Sequence, residues 1–314
     1  MMRWWLVLSV AAGCVAKPPR PAWTKIAGAD QPGELTGVRL TWDPDRGEVV
    51  LFGGDGPADL SDAMWSFDGT RWAPLCNPCN VRRERPGFVW DGSQLVIFGG
   101  GDDAGHYTNT VFDYSDTWTL RDTSGPQPAE QTFSQIVPYH GALWAVGGYA
   151  SGPLSGVSSL AGKVWNTEAN AGDSLASIGM GVTVDTDHDR ILALVDAAGN
   201  SAEDGVRMYT ASTGEWSVVC EPCTGRDRTG GSLVHVPDHD LTLLIGGRSL
   251  DNTYPRGTWV LEGDRFARYD DDDHMLPPRR EVGVAYDPDR DVVVVYGGAS
   301  DDCPFCGETW ELAL

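Results

Sequence analysis

An apolar strand that ends in two glycines recurs along this chain at nearly constant intervals. A sixth copy, at 191–195, is followed by Asp196 and Ala197 instead of the glycines. Successive copies lie 46, 48, 49, 50 and 51 residues apart. The five double-glycine copies span residues 49–54, 95–100, 143–148, 243–247 and 293–298. One such unit buries too little apolar surface to be stable alone, so the pattern predicts repeats that share a core.

Each repeat has the same internal order of predicted strands and turns. A first strand leads into an Asp-rich turn, as at 42–47 and 286–291, where Pro and Asp favour a tight hairpin. The second strand is continuously apolar, which indicates burial on both faces. A variable loop, a third strand, a short turn and a fourth strand follow. The last two strands each carry a large apolar residue: Trp65 and Trp72, Phe112 and Trp118, Leu160 and Trp165, Tyr209 and Trp216, and Trp259 and Phe266.

Four strands per repeat, a double glycine and two spaced aromatic residues resemble kelch repeats, and the resemblance covers nearly the whole mature chain. It implies an all-β, six-bladed kelch-type β-propeller with four antiparallel strands per blade, spanning residues 23–314. The last repeat stops soon after its third-strand Trp310 and lacks a fourth strand. Trp23, ahead of the first repeat, is the matching aromatic residue. We therefore expect the N-terminal strand to complete the last blade.

The first residues differ in composition from the rest of the chain. A basic start and an apolar stretch at 4–12, too short to cross a bilayer as a helix, fit an export signal. Ala11-Ala12-Gly13-Cys14 resembles a bacterial lipobox, with Ala11 where leucine is usual. The resemblance implies a signal peptide at 1–13, a lipid on Cys14 as membrane anchor and a tether at 14–22. An ordinary cleaved signal peptide is the alternative. Val15 stands where some inner-membrane lipoproteins carry aspartate, which favours the outer membrane.

The composition limits the partners of this chain. Its 314 residues include 39 glycines and 13 tryptophans, a balance typical of all-β proteins rich in tight turns. The formal charge of −22 repels phosphate backbones, so we expect no nucleic-acid partner. An acidic surface serves solubility or binds cations. We expect an exported monomer in the bacterial cell envelope.

Strand order decides which loops share a face of the ring. The links between blades and the loops between second and third strands must lie on one face, here named the link face. The hairpins joining strands one to two and three to four lie on the other, the hairpin face. Binding is expected at the link face, because long loops on a rigid scaffold are common binding sites. We expect the tether to enter at the hairpin face. The loops span residues 55–63, 101–109, 149–159, 198–205, 248–257 and 299–307.

Six cysteines after Cys14 form three C-x-x-C pairs, and three chemistries are open to such pairs. Zinc needs four thiolates around one ion, but the first two pairs belong to opposite blades. Redox activity normally places a cysteine at a helix start, and no helix is evident. Local disulfides suit an exported protein and are our main expectation. The pairs are Cys76 and Cys79, Cys220 and Cys223, and Cys303 and Cys306.

Acidic loop residues are the candidates for a ligand or cation site. Ca²⁺ prefers six to eight oxygen ligands, and aspartates from neighbouring loops could supply them. The alternative is a solvated run of charge, since no EF-hand spacing is present. We expect no other metal, because the six histidines show no ligand spacing. The candidates are Asp102, Asp103, His106, Asp271, Asp272, Asp301 and Asp302.

Fold alone does not choose a function among kelch-like propellers, which include binding modules and carbohydrate-handling enzymes. The chain has no G-x-S-x-G nucleophile motif and no phosphate-binding glycine loop. We therefore expect a non-catalytic module that binds an envelope protein or a glycan. The alternative is a carbohydrate-active enzyme, of epimerase, lyase or hydrolase type, that uses the loop carboxylates.

Overall fold

The computed structural model describes residues 20–28, 31–168, 175, 179, 181–195, 205–223, 228–249 and 251–314. These residues form 24 strands and one short 3₁₀ turn, Pro237–His239. The strands assemble into six four-stranded antiparallel sheets, which are the six predicted blades. No helix in the described part of the chain is long and apolar enough to cross a membrane.

The strands follow the predicted order in every blade, beginning with β1 (Trp23–Ile26). Blade one contains β2 (Arg39–Asp43), β3 (Glu48–Phe52), β4 (Met64–Phe67) and β5 (Trp72–Cys76). Blade two contains β6 (Gly87–Trp90), β7 (Leu95–Phe98), β8 (Val111–Tyr114) and β9 (Trp118–Leu120). Blade three contains β10 (Gln135–Tyr139), β11 (Ala142–Val146), β12 (Val157–Ala161) and β13 (Val164–Thr167). Blade four contains β14 (Gly181–Asp185), β15 (Arg190–Val195), β16 (Gly205–Thr210) and β17 (Glu215–Cys220). Blade five contains β18 (Ser232–Val236), β19 (Leu241–Ile245), β20 (Trp259–Glu262) and β21 (Arg265–Arg268). Blade six contains β22 (Gly283–Asp287), β23 (Val292–Tyr296) and β24 (Thr309–Ala313), and β1 is its fourth strand.

The blades close into a ring, and the N-terminal strand completes the last blade as predicted. Each first strand contacts the first strands of both neighbouring blades, including β2 with β22. Strand β1 pairs antiparallel with β24, with Trp23 opposite Leu312 and Ile26 opposite Thr309. The two ends of the chain are therefore held together by backbone hydrogen bonds within one sheet.

The Asp-rich turns owe their shape to side-chain acceptors. In blade one, Asp43 Oδ1 accepts the N–H groups of Asp45 and Arg46 at 3.1 and 3.3 Å. In blade six, Asp287 Oδ1 accepts those of Asp289 and Arg290, both at 3.1 Å. Aspartate is favoured at turn starts because its carboxylate can bond to the backbone two or three residues on. Part of the chain's negative charge therefore builds hairpins.

The double glycines let the link of the next blade approach the second strand closely. Gly53 and Gly54 have φ values of 72° and 102°, in the region that side chains rarely adopt. A Cβ on Gly53 would lie 2.5 Å from the carbonyl oxygen of Arg83, which precedes blade two. The Gly54 N–H donates to that same oxygen at 3.1 Å. These glycines are architectural, as the sequence indicated.

Aromatic residues at the start of the fourth strands fasten each blade to the one before it. Trp118 of blade two lies 5.0 Å from Phe52 of blade one, between ring centroids. Trp165 of blade three lies 5.2 Å from Phe98 of blade two. Phe52 and Phe98 directly precede their double glycines, so one repeat position supplies the surface on which the next blade packs. The assignment of Trp165 to the fourth strand of blade three is confirmed.

The ring closure uses the same arrangement and adds hydrogen bonds. Trp72 of blade one packs against Tyr296 of blade six at 5.2 Å, and its Nε1 donates to Thr309 Oγ1 at 2.8 Å. Trp23 Nε1 donates to Thr258 Oγ1 of blade five at 2.8 Å. The first and last blades are therefore bonded to their neighbours through buried indole groups as well as by apolar packing.

The residues at the start of β1 are hydrogen-bonded to the link between blades five and six. The Asp271 N–H donates to the Pro21 carbonyl at 2.8 Å, and the Trp23 N–H donates to the His274 carbonyl at 2.9 Å. Residues 271 and 274 belong to the link between blades five and six. The register places Trp23 opposite Leu312, at the end of blade six that carries the hairpin between β22 and β23, which agrees with the predicted entry at the hairpin face. Sheets twist, and the outermost strand of a blade can reach the link of its neighbour.

Glu308 connects the N-terminal strand to the link before blade six. Its carboxylate accepts hydrogen bonds from Lys25 Nζ, from Arg279 Nη2 at 2.9 Å and from Trp310 Nε1 at 3.2 Å. Burial alone would raise the pKa of Glu308, but these donors outweigh it and lower the pKa to about 2. The ionised carboxylate is therefore part of the ring closure.

We predict that Trp118→Ala lowers the free energy of unfolding by about 3–5 kcal/mol, the usual cost of removing a buried tryptophan side chain. Trp118 is 8% exposed, and its Nε1 has no hydrogen-bond partner, so the loss is one of packing. Urea unfolding followed by tryptophan fluorescence and circular dichroism measures the effect. Leu120→Ala, two residues away and 57% exposed, is the control and should change stability little. Equal effects of both substitutions would contradict the packing role.

We predict that Glu308→Gln destabilises the protein at neutral pH and reduces its loss of stability in acid. A carboxylate whose pKa is lowered by folding stabilises the protein above its unfolded pKa, near 4.5, and this contribution is lost as the pH falls towards about 2. The difference in thermal midpoint between wild type and Glu308→Gln should therefore shrink as the pH decreases from 5 to about 2. Glu262→Gln, at a side chain that is 55% exposed, is the matched control. A pH-independent difference would exclude this role of Glu308.

Candidate functional site

The predicted loop residues around Asp102 form a self-contained turn. Asp102 Oδ1 accepts the N–H groups of Ala104 and His106 at 2.9 and 2.8 Å, and its Oδ2 lies 3.7 Å from His106 Nδ1. The hydrogen bond from the His106 backbone is the main cause of the lowered pKa of Asp102. Asp103 lies 3.5 Å from Arg82 Nη1. The carboxylate of Asp102 therefore shapes its own loop.

The acidic run before blade six is likewise bonded within the protein. Asp270 is fully buried and accepts the Thr258 N–H at 2.9 Å. Asp271 Oδ1 accepts the Asp273 N–H at 2.8 Å, and these local hydrogen bonds lower the pKa of Asp271. Asp272 lies 3.4 Å from Arg268 Nη2. The run therefore supports the link between blades five and six.

Asp301 and Asp302 are exposed on a separate loop of blade six. In the described residues, none of the predicted loop acids belongs to a group of three or more ligand atoms within 4.8 Å of one another. The structure therefore does not bring the candidates together into one site. Calcium binding at these loops stays a prediction.

Among the described residues, two groups of potential ligand atoms do lie close together, both at the hairpin-face ends of the first strands of blades four and five. They are Asp185 with Asp187 and His235, and Asp185 with His188 and Asp240. His235 Nε2 contacts Asp187 Oδ2 at 2.9 Å and Nδ1 contacts Thr242 Oγ1 at 3.2 Å. Both ring nitrogens of His235 therefore have hydrogen-bond partners within the protein. Hydrogen bonding between neighbouring blades therefore accounts for His235 without an ion.

Two of the three predicted disulfides are present. Cys76 is bonded to Cys79 and Cys220 to Cys223, with Cα–Cα distances of 5.2 and 5.1 Å. Both pairs follow a fourth strand, in the links after blades one and four. Each therefore fastens the end of an outer strand to the link that continues from it. Disulfides are typical of proteins outside the reducing cytoplasm.

The third pair corrects the prediction, because Cys303 and Cys306 are free thiols. They lie in the loop between β23 and β24, where the Cys306 N–H donates to the Gly298 carbonyl at 2.9 Å. The Cys306 thiol points at the carbonyl of Cys303, with 3.3 Å between sulfur and oxygen. Burial, with a hydrogen bond to Cys303, raises the pKa of Cys306 to about 12. Such a thiol is poorly reactive, because the thiolate is the nucleophile.

A central channel is the concave site that the ring itself creates. It holds about 470 Å³ and is lined mainly by the six first strands. That volume lies within the range of about 300–1,000 Å³ usual for small-molecule sites. Its apolar and aromatic lining includes Trp42, Phe88, Ile136 and Tyr286. The sequence interpretation placed binding on the outer loops and missed this site.

The link-face end of the channel is ringed by one residue from each blade, two positions before its first strand. All six have positive φ, between 47° and 70°. Backbone hydrogen bonds join four of them in series: Arg85 to Gly37 (3.2 Å), Gly37 to Glu281 (3.1 Å) and Glu281 to Gly230 (2.8 Å). We call this ring the belt; it comprises Gly37, Arg85, Phe133, Gly179, Gly230 and Glu281.

Three belt residues carry large side chains in a conformation that favours glycine. Arg85 Nε donates to Glu281 Oε2 at 2.6 Å, which connects blade two to blade six across Gly37. The Arg85 guanidinium lies 4.9 Å from the ring centroid of Phe133. Burial alone would lower the pKa of Arg85, but Glu281 and Glu84 outweigh it and raise the pKa. An ion pair and an aromatic ring therefore stand at this end of the channel.

A polar layer lies just inside the belt. The first residue of the first strand alternates around the ring between glycine, in blades two, four and six, and a polar residue. The polar residues are Arg39, Gln135 and Ser232, all of which line the channel. Burial lowers the pKa of Arg39 to about 10, although Glu281 acts in the opposite direction. The channel thus offers a guanidinium, an amide and a hydroxyl at one level.

Arginines four positions before the first strands were also missed by the sequence interpretation. Arg279 is 2% exposed, donates to the Gly297 carbonyl at 3.1 Å and lies 5.9 Å from the ring centroid of Trp310. The Arg83 guanidinium lies 5.8 Å from the ring centroid of Phe112. In the equivalent position of blade five, the Arg228 guanidinium lies 5.3 Å from the ring centroid of Trp259. Aligning the repeats on their first strands rather than their glycines reveals this position.

Searches against models of protein families and among curated proteins find no match to this chain. The structure therefore defines the class, a six-bladed all-β propeller with a central channel. The kelch and lipoprotein resemblances rest on the sequence motifs.

We predict that Cys303 and Cys306 react with a thiol-labelling reagent in unreduced, denatured protein, while the four disulfide cysteines do not. Denaturation exposes the buried thiols, and unfolding in the presence of excess labelling reagent blocks each thiol as it is exposed, which prevents disulfide exchange. Peptide mass spectrometry after alkylation assigns the labels. After reduction, all six cysteines should be labelled, which controls for reagent access. A cross-linked peptide containing Cys303 and Cys306 in unreduced protein would contradict the free-thiol assignment.

Proposed function

We propose that this chain is a kelch-repeat lipoprotein, exported and anchored to the bacterial outer membrane through Cys14, that binds a glycan in its central channel. The channel is the observation that carries the proposal, because it combines a sugar-sized volume, aromatic walls and a polar layer. The lipobox-like residues 11–14 support the anchor, and Cys14 itself lies outside the described residues. The two disulfides are compatible with an oxidising compartment.

A glycan is favoured over an envelope protein as the channel ligand. A folded protein presents a broad surface and would contact the outer loops, whereas the channel admits only a narrow ligand. Sugars present hydroxyls and an apolar ring face together. Gln135 and Ser232 can exchange hydrogen bonds with hydroxyls, and Trp42 and Phe88 offer apolar surface.

Sugar chemistry by the same channel is the second candidate function. His235 lines the channel and contacts Asp187, a pairing that can serve general acid–base catalysis. The loop acids first considered for this role do not form one group in the described residues. Turnover of a sugar substrate that is lost in His235→Gln would establish the enzyme and exclude a purely binding role.

We predict that filling the channel weakens glycan binding. Gln135→Trp places an indole in the polar layer, and affinity for any glycan selected on an array should fall at least about tenfold, equivalent to about 1.4 kcal/mol. The full protein, extracted in detergent from expressing cells, is used for the array and for calorimetry. Gln127→Trp makes the same change at an exposed position in the link after blade two and serves as the control. Its binding should equal that of wild type.

Two results would contradict this function. If glycan binding survives Gln135→Trp in a folded protein, the glycan does not bind in the channel. Binding of envelope proteins without any glycan would assign the function to the outer loops instead. Circular dichroism and the thermal midpoint of each variant establish that it has folded.

A further inference from the structure

Arg39 is a channel-facing cation without a carboxylate partner among the described residues. Its Nε donates to the Pro86 carbonyl at 2.8 Å and its Nη1 to the Val38 carbonyl at 3.4 Å. No Asp or Glu oxygen of the described residues lies within 4.0 Å of it, whereas Arg85 and Arg280 both pair with Glu281. Guanidinium groups bind planar carboxylates with two parallel hydrogen bonds. Arg39 retains donors for such a group.

Among the five charged residues that interact with one another at the belt, positive charges outnumber negative charges by one. Three guanidiniums (Arg39, Arg85 and Arg280) face two carboxylates (Glu84 and Glu281). Burying a charge without a partner is costly, so a ligand that brings one negative charge is favoured here. A dianion such as a phosphate would overcompensate the excess. The net charge of these five residues is positive, whereas the formal net charge of the whole chain is −22.

The neighbours of Arg39 indicate what the rest of the ligand presents. Gln135 and Ser232 occupy the equivalent positions in blades three and five, and no described residue forms a hydrogen bond with the Gln135 side chain. Ser232 Oγ donates to the Val282 carbonyl at 3.1 Å, so its lone pairs remain available as acceptors. A ligand that bonds to all three residues carries hydroxyl groups as well as a carboxylate.

From this arrangement we infer that the channel ligand is an acidic sugar, a uronic acid residue whose single carboxylate binds Arg39 and whose hydroxyls bind Gln135 and Ser232. The inference rests on the glycan-binding function proposed above and specifies its ligand class. Arg39 is then the residue that determines specificity for acidic over neutral sugars.

The test compares glucuronate, its methyl ester and glucose, as free sugars and as short oligosaccharides, by calorimetry on the full protein in detergent. Wild type should bind the acid at least about tenfold more tightly than the ester or glucose. Arg39→Gln should weaken binding of the acid about 10- to 100-fold and weaken binding of the neutral forms much less, so that the preference for the acid is lost. Arg265→Gln, at an arginine that is 72% exposed, removes the same charge elsewhere and should bind like wild type.

Four outcomes would overturn this assignment. Equal affinity for glucuronate and its methyl ester would exclude recognition of the carboxylate, and this comparison needs no variant. Acetate binding as tightly as glucuronate would reduce the site to a general anion site. Neutral glycans bound in the channel without preference for acids would refute the acidic ligand and preserve the glycan-binding function. Failure of every glycan to bind would refute both.

Discussion

The propeller depends on the packing of a fourth-strand aromatic ring against the second strand of the preceding blade. Trp118 on Phe52 and Trp165 on Phe98 show the interaction between blades, and Trp72 on Tyr296 closes the ring. Second strands are buried on both sides, so no blade has a complete core alone. Stability is therefore shared around the ring, and the channel at its centre has fixed walls.

Much of this architecture follows from the sequence because it depends on residues that recur. The glycine pairs, the Asp-rich turns and the spaced aromatic residues occupy the same place in each repeat, and their physical roles are the same in each blade. Trp23 could be assigned to the last blade because it matched a missing repeat position. The belt was not predictable in this way, since its six residues share a positive φ and no side-chain type. A short stretch of sequence rarely shows which residues adopt a positive φ, unless the residue is glycine.

The acidic residues misled the sequence interpretation for a related reason. The many aspartates suggested cation sites. In sequence, however, an aspartate that accepts backbone N–H groups cannot be distinguished from one that coordinates a metal ion. Asp102, Asp271 and Asp287 each accept such bonds within their own turn. The third cysteine pair likewise shows that residue type and spacing do not determine which bond forms. Its spacing equals that of the two disulfides, but it lies in a loop between strands, where Cys306 is held by other contacts.

The belt connects the architecture to the proposed function. A side chain held at positive φ costs about 1 kcal/mol or more relative to glycine, and three blades already satisfy the position with glycine. Arg85, Phe133 and Glu281 are therefore not required by the backbone. Their mutual contacts offset part of this cost and place charge at one end of the channel. Glu281 pairs with both Arg85 and Arg280, and Arg39, which lines the channel, has no carboxylate partner among the described residues. The strain at the belt and the free donors of Arg39 are thus two consequences of one arrangement, in which the protein carboxylates pair at the rim of the channel and, in the function proposed here, an acidic ligand pairs with Arg39 inside it.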